Sequence, residues 1–346
     1  MFQTLYKVTS PGVIEEFIDS VENDATHVLV KVDYMAICKA DIRYFLGNRE
    51  QSVLNHKYPL APIHEAVGHV IKDPTGNYQP GDKVILIPNS VEPKWLEEFE
   101  NKRCERKDLG NNYAIHSTFR SSTTDGFLKQ FYVAEPELLV KFKEDIPSNI
   151  AVFSELLSVA VAALRRINFE EVKSMAIFGD GILAYITYIV MRKDHPEVKL
   201  TIYGIDKNKL SMFKEVDART YEGYKGEKYD TMLEIVGGQY SSDAINKMID
   251  WAAVGADLIL MGVSEEKVPI NTRLVLEKGL SLKGVTRSDK EDFEHVAKIL
   301  EDGRVRDMIK VMILKENEIK GVHDIYQSYE EEINNKTRIG KHIMKW

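Results

Sequence analysis

The first third of the chain alternates apolar and polar residues in short runs. The segment HVLVKVDYMAI alternates, EAVGHVI and GDKVILIPN are compact runs of β-forming residues, and PTGNYQPGD between them is dense in turn formers. Runs of this kind, separated by glycine, proline and asparagine, are typical of strands joined by turns. The pattern predicts an all-β unit with irregular connections over residues 1–146.

The pattern changes near Pro147. Apolar residues fall at helical spacing in SNIAVFSELLSVAVAALRRINFEEV, and from Ser174 onward β-type runs such as SMAIFGDG, KLTIYG and ADLILMGV alternate with helical segments. This alternation predicts an α/β fold with βαβ units and a doubly wound parallel sheet. We assign residues 147–286 to a Rossmann dinucleotide-binding domain. Residues 287–346, which begin with the amphipathic segment DKEDFEHVAKILEDG, are assigned to the first domain.

Composition narrows the class of protein. A chain of 346 residues has room for two domains, and 44% hydrophobic with 29% charged residues is typical of globular proteins. The formal net charge of −8 argues against a nucleic-acid partner. No segment resembles a signal peptide or a membrane span, and two cysteines suit a reducing compartment. We therefore expect a cytoplasmic protein without membrane contact.

A glycine motif marks a candidate nucleotide site. In AIFGDGILAYITYIV, residues Gly179, Gly181 and Ala184 follow a predicted strand in the G-x-G-x-x-G/A pattern and open a predicted helix. In this context the first glycine makes the tight turn, and the second lets the backbone approach a pyrophosphate at the helix N-terminus. The alternative is a glycine turn that binds no nucleotide. Gly262 and Val263, after the run ADLILM, are assigned to the same site.

The end of the next predicted strand bears on the choice of cofactor. An acidic residue there would bind the adenosine ribose hydroxyls and disfavour a 2′-phosphate. In TIYGIDKNKL the counted position falls on Gly204, which removes that carboxylate, and Lys207 and Lys209 follow. NADP(H) is therefore favoured. Asp206 leaves NAD(H) open, because a shift of two residues would restore an acidic contact.

Four side chains suggest a metal site. Cys38 lies in MAICKADIRYF, His64 and Glu65 in PIHEAVGHV, and Glu155 in FSELLSVA. One thiolate, one imidazole and one or two carboxylates suit zinc with an exchangeable position. Taken singly, the cysteine and the histidine could each be ordinary core residues. A zinc-free reductase and a nucleotide-binding protein without activity are therefore alternatives.

The chain resembles the medium-chain dehydrogenase/reductase superfamily of zinc-dependent alcohol and polyol dehydrogenases. The resemblance covers nearly the whole chain and is carried by ICKAD, HEAVG, GDKV, DGFLKQF, SELLSVAVAALRR and FGDGILA. It implies a GroES-like catalytic domain before the Rossmann domain, one catalytic zinc held by Cys38, His64, Glu65 and Glu155, and support from Asp41.

Within the superfamily, MAICKADIRYFLGNRE, HEAVG, FRSSTTDGF and INTRLVLEKGLSLKG are most similar to bacterial ribulose-5-phosphate reductases. That resemblance implies NADPH-dependent, zinc-assisted reduction of a sugar phosphate to ribitol 5-phosphate, a precursor of cell-surface polymers. It also implies a homodimer and a cytidylyltransferase as pathway neighbour. A neutral polyol dehydrogenase of the sorbitol or xylitol type using NAD is the runner-up.

Three positions depart from the superfamily pattern. Between Asn89 and Gly110 there is only Cys104, so we expect no structural zinc. Ala40 stands where many members have a serine or threonine that relays the proton, and Ile63 replaces the usual glycine before the histidine.

Arginines near the predicted metal site are candidates for the substrate phosphate, because guanidinium binds phosphate through two hydrogen bonds. These candidates are Arg43, Arg49 and Arg120. The alternative, that they are solvated surface residues, carries about equal weight, because exposed arginine is common.

Overall fold

The computed structural model describes residues 1–102, 109–114 and 116–346. Its strands are β1 (Phe2–Ser10), β2 (Val13–Ser20), β3 (Val28–Ala36), β4 (Glu65–Lys72), β5 (Lys83–Leu86), β6 (Asn89–Ser90), β7 (Thr118–Phe119), β8 (Phe131–Ala134), β9 (Leu139–Lys141), β10 (Ser174–Phe178), β11 (Lys199–Gly204), β12 (Asp217–Thr220), β13 (Tyr229–Glu234), β14 (Ala252–Leu260), β15 (Ser281–Gly284), β16 (Ile313–Glu318) and β17 (Lys341–Lys345). Its helices are α1 (Lys39–Phe45), α2 (Gln51–Lys57), α3 (Pro93–Lys102), α4 (Ser148–Ala151), α5 (Ser154–Leu164), α6 (Ile182–Asp194), α7 (Lys207–Leu210), α8 (Ser241–Trp251), α9 (Thr272–Lys278), α10 (Lys290–Ile299), α11 (Gly303–Lys310) and α12 (Val322–Asn334). Among the described residues, no helix is long and apolar enough to cross a membrane.

The chain divides into two compact units. The first unit comprises residues 1–158, 288–336 and 340–346, and the second comprises residues 159–287 and 337–339. The sequence placed the two boundaries at 146/147 and 286/287. Cys104, on which the expectation of no structural zinc depends, lies outside the described residues.

The second unit is built on one parallel sheet. Its strand order is β12–β11–β10–β13–β14–β15, and every neighbouring pair is parallel. Counted within the unit this is the order 3-2-1-4-5-6, which is the doubly wound dinucleotide-binding arrangement. The predicted α/β fold class is thereby confirmed. The order reverses between β10 and β13, and ligands bind such sheets beyond the carboxyl ends of the strands at that point.

The first unit contains a mixed sheet whose register assembles the site. Its order is β16–β17–β3–β4–β5–β9, with β8 also paired to β3. Ala36 of β3 pairs with Glu65 of β4 on one side and with Ile343 of β17 on the other. Because neighbouring strands are about 4.8 Å apart, this register brings the end of β3, the start of β4 and the start of β17 together.

The first 146 residues are not purely β-structure, which corrects the prediction of an all-β unit. Lys39–Phe45 and Gln51–Lys57 form helices α1 and α2, and Pro93–Lys102 forms α3. The Asp41 carboxylate accepts a hydrogen bond from the backbone N–H of Cys38, which is the N-cap of α1. Such reciprocal capping satisfies a backbone donor and starts a helix even where no long apolar periodicity is present.

Candidate metal centre and nucleotide-binding site

Three potential metal ligands meet at one end of the sheet of the first unit. One ligand atom from each of Cys38, His64 and Glu65 lies within 4.8 Å of the other two. Cys38 ends the connection from β3 to α1, whereas His64 and Glu65 lie at the entry into β4. His64 and Glu65 are buried and Cys38 is half-buried. The structure therefore brings together three of the four predicted ligands.

Asp41 supports this group from behind. Its carboxylate is fully buried and accepts hydrogen bonds from the backbone N–H groups of Cys38 at 2.9 Å and Ile63 at 3.0 Å. It thereby ties together the two segments that carry the potential metal ligands. Burial opposes its charge, but the nearby His64 imidazole and these two N–H groups outweigh burial, so the pKa of Asp41 is lowered.

The His64 ring is held from several sides. Its Nδ1 lies 2.8 Å from the Ser121 hydroxyl and 3.6 Å from Asp41 Oδ1, and the ring of Phe119 lies 5.2 Å away between centroids. Burial alone would lower its pKa, but Asp41 and Cys38 reverse that effect, so the pKa of His64 is raised well above the usual value. With Nδ1 occupied, Nε2 is the nitrogen left for a metal, which is the usual arrangement of zinc-binding histidines.

Backbone strain flanks this histidine. Ile63 has φ 77° and Ser121 has φ 62°, and both side chains are buried. A β-branched residue at positive φ is a genuine outlier, and such strain collects at functional sites. The backbone of Ile63 packs directly against Gly126. A side chain at position 126 would come within 2.2 Å of the Ile63 carbonyl oxygen, so this close contact requires glycine. The departure from glycine at Ile63 is therefore accommodated at the cost of strain.

Glu65 is paired with a lysine that the sequence analysis missed. Its Oε1 accepts a hydrogen bond from Lys341 Nζ, and the two side chains are 0% and 4% exposed. Burial disfavours the ammonium charge, but the Glu65 carboxylate and Cys38 outweigh it and raise the pKa of Lys341. Lys341 belongs to no recognisable sequence motif. Only the pairing of β17 with β3, and of β3 with β4, shows that it lies beside Glu65.

Glu155 lies in the first turn of α5 and is 7% exposed. It is not a member of the three-residue group that could hold an ion. Burial, together with the Glu65 carboxylate, raises the pKa of Glu155 to about 7 against the opposing effect of His64. Glu155 is thus an electrostatic neighbour of the group.

The donor set fits zinc. A thiolate, an imidazole and a carboxylate are ligands that zinc accepts in sites with an exchangeable position. Glu65 Oε2 is buried and has no hydrogen-bond partner, although buried polar atoms are normally paired. A cation at the three-residue group would satisfy this oxygen.

The three arginines predicted to bind a phosphate lie in different surroundings. Arg43 is on α1 and Arg49 follows it, with the Arg49 guanidinium 5.3 Å from the centre of the Tyr44 ring. Arg120 packs on another ring, 5.2 Å from that of Tyr132. The contacts of Arg120 therefore do not associate it with the other two arginines.

The glycine motif has the geometry that a pyrophosphate requires. Gly179 has φ 139°, and a side chain there would come within 3.1 Å of the Ile235 carbonyl oxygen. Gly181 is the N-cap of α6, and a side chain there would meet nothing within 4 Å. Ala184 is fully buried, which allows α6 to lie close to the sheet. The space beside Gly181 is open to an anion at the helix N-terminus.

A carboxylate does lie at the end of β11, contrary to the prediction from Gly204. Gly204 was expected to leave this position without a carboxylate, but the Asp180 side chain fills it. Asp180 Oδ2 accepts hydrogen bonds from the backbone N–H groups of Ile205 at 2.7 Å and Asp206 at 2.8 Å. A side chain at Gly204 would come within 2.5 Å of Asp180. Glycine is therefore required here to make room for an acidic residue from the motif itself.

Asp206 and the two lysines that follow β11 differ in whether their side chains are free to contact a cofactor. Asp206 caps α7 by accepting a hydrogen bond from the Asn208 backbone N–H at 2.8 Å, so one of its oxygens is already engaged. Lys207 is exposed and Lys209 half-buried, and neither forms an ion pair with a described residue. Both can meet a phosphate.

Gly262 and Val263 follow β14 at the same edge of the sheet. The buried Glu234 carboxylate, which the sequence analysis missed, accepts hydrogen bonds from Gly262 N at 3.0 Å and Gly237 N at 2.8 Å. A side chain at Gly262 would come within 2.4 Å of that carboxylate. Val263 is 59% exposed. Glu234 thus fixes the backbone beside the crevice.

Comparison with known proteins defines the class. Residues 24–144 match the model of the alcohol dehydrogenase GroES-like domain. Together with the doubly wound second unit, this makes the chain a member of the medium-chain dehydrogenase/reductase superfamily.

Full-length relatives narrow the class to one family. The chain is 35% identical over 353 residues to ribulose-5-phosphate reductase 1 of Staphylococcus aureus, covering 100% of this chain and 99% of the relative. It matches the crystal structure of S. aureus TarJ in complex with NADPH with a TM-score of 0.86 and 32% identity, over 100% and 99% of the two chains. Sorbitol dehydrogenase of Ovis aries is more distant, at 25% identity over 77% of this chain and 76% of the relative. The chain belongs to the family of ribulose-5-phosphate reductases.

Proposed function

We propose that the protein reduces D-ribulose 5-phosphate to D-ribitol 5-phosphate with NADPH and one catalytic zinc. The observation that carries the proposal is the group of Cys38, His64 and Glu65, with an unpaired buried Glu65 oxygen, in a chain of this family. Glu155 completes the proposed site as an adjacent carboxylate.

Cys38, His64 and Glu65 would hold the metal, and Asp41 would orient the first two. Zinc in such a site supplies Lewis acidity toward the carbonyl oxygen of the substrate. Asp41 contributes by fixing the backbone of both ligand segments, and Ser121 contributes by fixing the His64 ring through Nδ1. Preorganisation of this kind lowers the reorganisation that the reaction requires.

The nucleotide would bind in the second unit. The open space beside Gly181 and the N-terminus of α6 suit the pyrophosphate, and Lys207 and Lys209 suit a 2′-phosphate. Asp180 opposes binding of a 2′-phosphate, because it places a carboxylate at the end of β11. The preference for NADPH now depends mainly on the two lysines and on the family.

The proton that completes the reduction needs a donor other than residue 40, which is alanine. Glu155 is the candidate that we favour, because it is a buried carboxyl group beside the three-residue group and is not itself one of those three residues. Glu65 is less suited, since its Oε1 is engaged by Lys341.

The remaining proposals come from the family alone. The product would supply a cytidylyltransferase and ribitol-containing cell-surface polymers, and the enzyme would act as a cytoplasmic homodimer. Absence of a structural zinc also stays a prediction.

Comparison of phosphorylated with unphosphorylated substrates tests the proposal. We expect purified, zinc-loaded protein to oxidise NADPH with ribulose 5-phosphate far faster than with ribulose, fructose or xylulose. Faster turnover of the neutral ketoses with NADH would instead identify a neutral polyol dehydrogenase.

A further inference from the structure

A lysine outside the predicted site lies next to the loop that orients the metal-binding histidine. Lys57 is the last residue of α2, is half-buried, and donates a hydrogen bond from Nζ to the backbone carbonyl of Ser122. Within the part of the chain that the structure describes, no carboxylate lies within ion-pair distance of Lys57. Its positive charge is therefore available to an anionic group.

The surroundings of Ser122 supply further donors. The Tyr44 hydroxyl lies 3.4 Å from Ser122 Oγ, and the Arg49 guanidinium lies 5.3 Å from the centre of the Tyr44 ring. Two cations and two hydroxyl groups are thus linked through successive contacts. Lysine and arginine with hydroxyl groups form the donor set that recognises a phosphate monoester.

This cluster is connected to the metal-binding histidine through the backbone of Ser121 and Ser122. Ser122 follows Ser121, whose hydroxyl lies 2.8 Å from His64 Nδ1, and consecutive Cα atoms are about 3.8 Å apart. We therefore expect a substrate with its carbonyl at the metal group to direct its phosphate toward this cluster.

We propose that Lys57, with Arg49 and the Ser122 hydroxyl, forms the site for the substrate phosphate. The proposal rests on the proposed function and deepens it by naming a residue that sequence reasoning did not consider. Lys57 supplies two N–H donors beyond the one given to Ser122, because an ammonium carries three.

Steady-state kinetics of Lys57→Gln test the assignment. We expect a loss of roughly ten- to a hundred-fold in kcat/KM for ribulose 5-phosphate, expressed in KM, with ribulose itself used equally by both proteins. Lys57→Arg keeps the charge and should retain most of the affinity. Lys72→Gln, a change at an exposed lysine of β4, is the matched control and should have no effect.

Each other result overturns the assignment. Unchanged KM would show that the phosphate binds elsewhere. An equal loss of kcat/KM with ribulose 5-phosphate and with ribulose would show that Lys57 only holds the backbone at Ser121 and Ser122 in place. If the unmodified enzyme does not prefer ribulose 5-phosphate over ribulose, the proposed substrate is wrong. The phosphate site is then tested independently by titrating the variants with inorganic phosphate. Weaker phosphate binding by Lys57→Gln than by Lys72→Gln would then uphold the site, and equal binding would refute it.

Discussion

Replacing Lys341 by methionine would leave the Glu65 carboxylate buried without its partner. The Glu65 and Lys341 side chains are 0% and 4% exposed, so water cannot replace the lost ammonium. Breaking a buried pair on one side costs about 3–5 kcal/mol. This is a large part of the roughly 5–15 kcal/mol that stabilises a typical protein. We expect Lys341→Met to lower the free energy of unfolding by this amount in protein stripped of metal.

The assay is denaturant unfolding in a Trp251→Phe background, followed by the fluorescence of Trp95 and Trp346, which both lie in the first unit. Trp346 stacks on Tyr6 in the first unit, with ring centroids 5.9 Å apart. Lys143→Met is the matched control, because the Lys143–Glu301 pair has an N–O distance of 2.6 Å but is 62% and 42% exposed. An exposed pair contributes about 0–1 kcal/mol.

The double variant separates the loss of the pair from the loss of packing. Adding Glu65→Gln removes the stranded charge, so Lys341→Met/Glu65→Gln should regain most of the lost stability. Zinc bound at Glu65 as proposed would add a positive charge beside this carboxylate, so the cost of Lys341→Met should be smaller in zinc-loaded protein. A loss below about 1 kcal/mol in metal-free protein, equal to that of an exposed pair, would refute the reasoning.

Three further substitutions probe the two sites. Asp41→Asn keeps the side-chain volume but weakens the hydrogen bonds to the backbones of Cys38 and Ile63. Zinc affinity, measured by competition with a chromogenic chelator, should fall by about ten- to a hundred-fold. Unchanged affinity would contradict a supporting role for Asp41. Gly126→Ala should lower the melting temperature clearly more than Gly321→Ala, because only the first new methyl group meets a carbonyl oxygen, at 2.2 Å, and equal effects would show that the close approach is unimportant. Gly181→Ala should leave the melting temperature of the apoprotein unchanged, because its methyl group meets no protein atom within 4 Å. NADPH binding measured by calorimetry should weaken at least about ten-fold, because the pyrophosphate would need that space. Unchanged binding would show that the pyrophosphate does not lie beside residue 181.

Much of the fold could be predicted from the chain because its signals are local. Alternating runs and the glycine motif identified the parallel sheet, and the segment after Ser288 formed the expected helix with Phe293 and Val296 fully buried. Helices α1 and α2 were missed because both are only seven residues long, and neither carries a long apolar stripe. Short helices begin at capping contacts that involve side-chain geometry as well as residue type.

The site could be predicted only as far as its motifs reach. Cys38, His64 and Glu65 lie in recognisable segments, and the strand register brings them together. Lys341 and Lys57 have no motif, because each acts through a partner that is distant in sequence. Asp180 shows the limit most clearly, since counting positions along β11 cannot reveal a carboxylate that enters from another loop.

The most direct test of the account is the rate of NADPH oxidation with ribulose 5-phosphate before and after removal of metal. We predict that a strong chelator abolishes turnover, that added zinc restores it, and that about one zinc per chain accompanies full activity. Turnover that survives complete removal of metal, in folded protein, would contradict the proposed role of Cys38, His64 and Glu65.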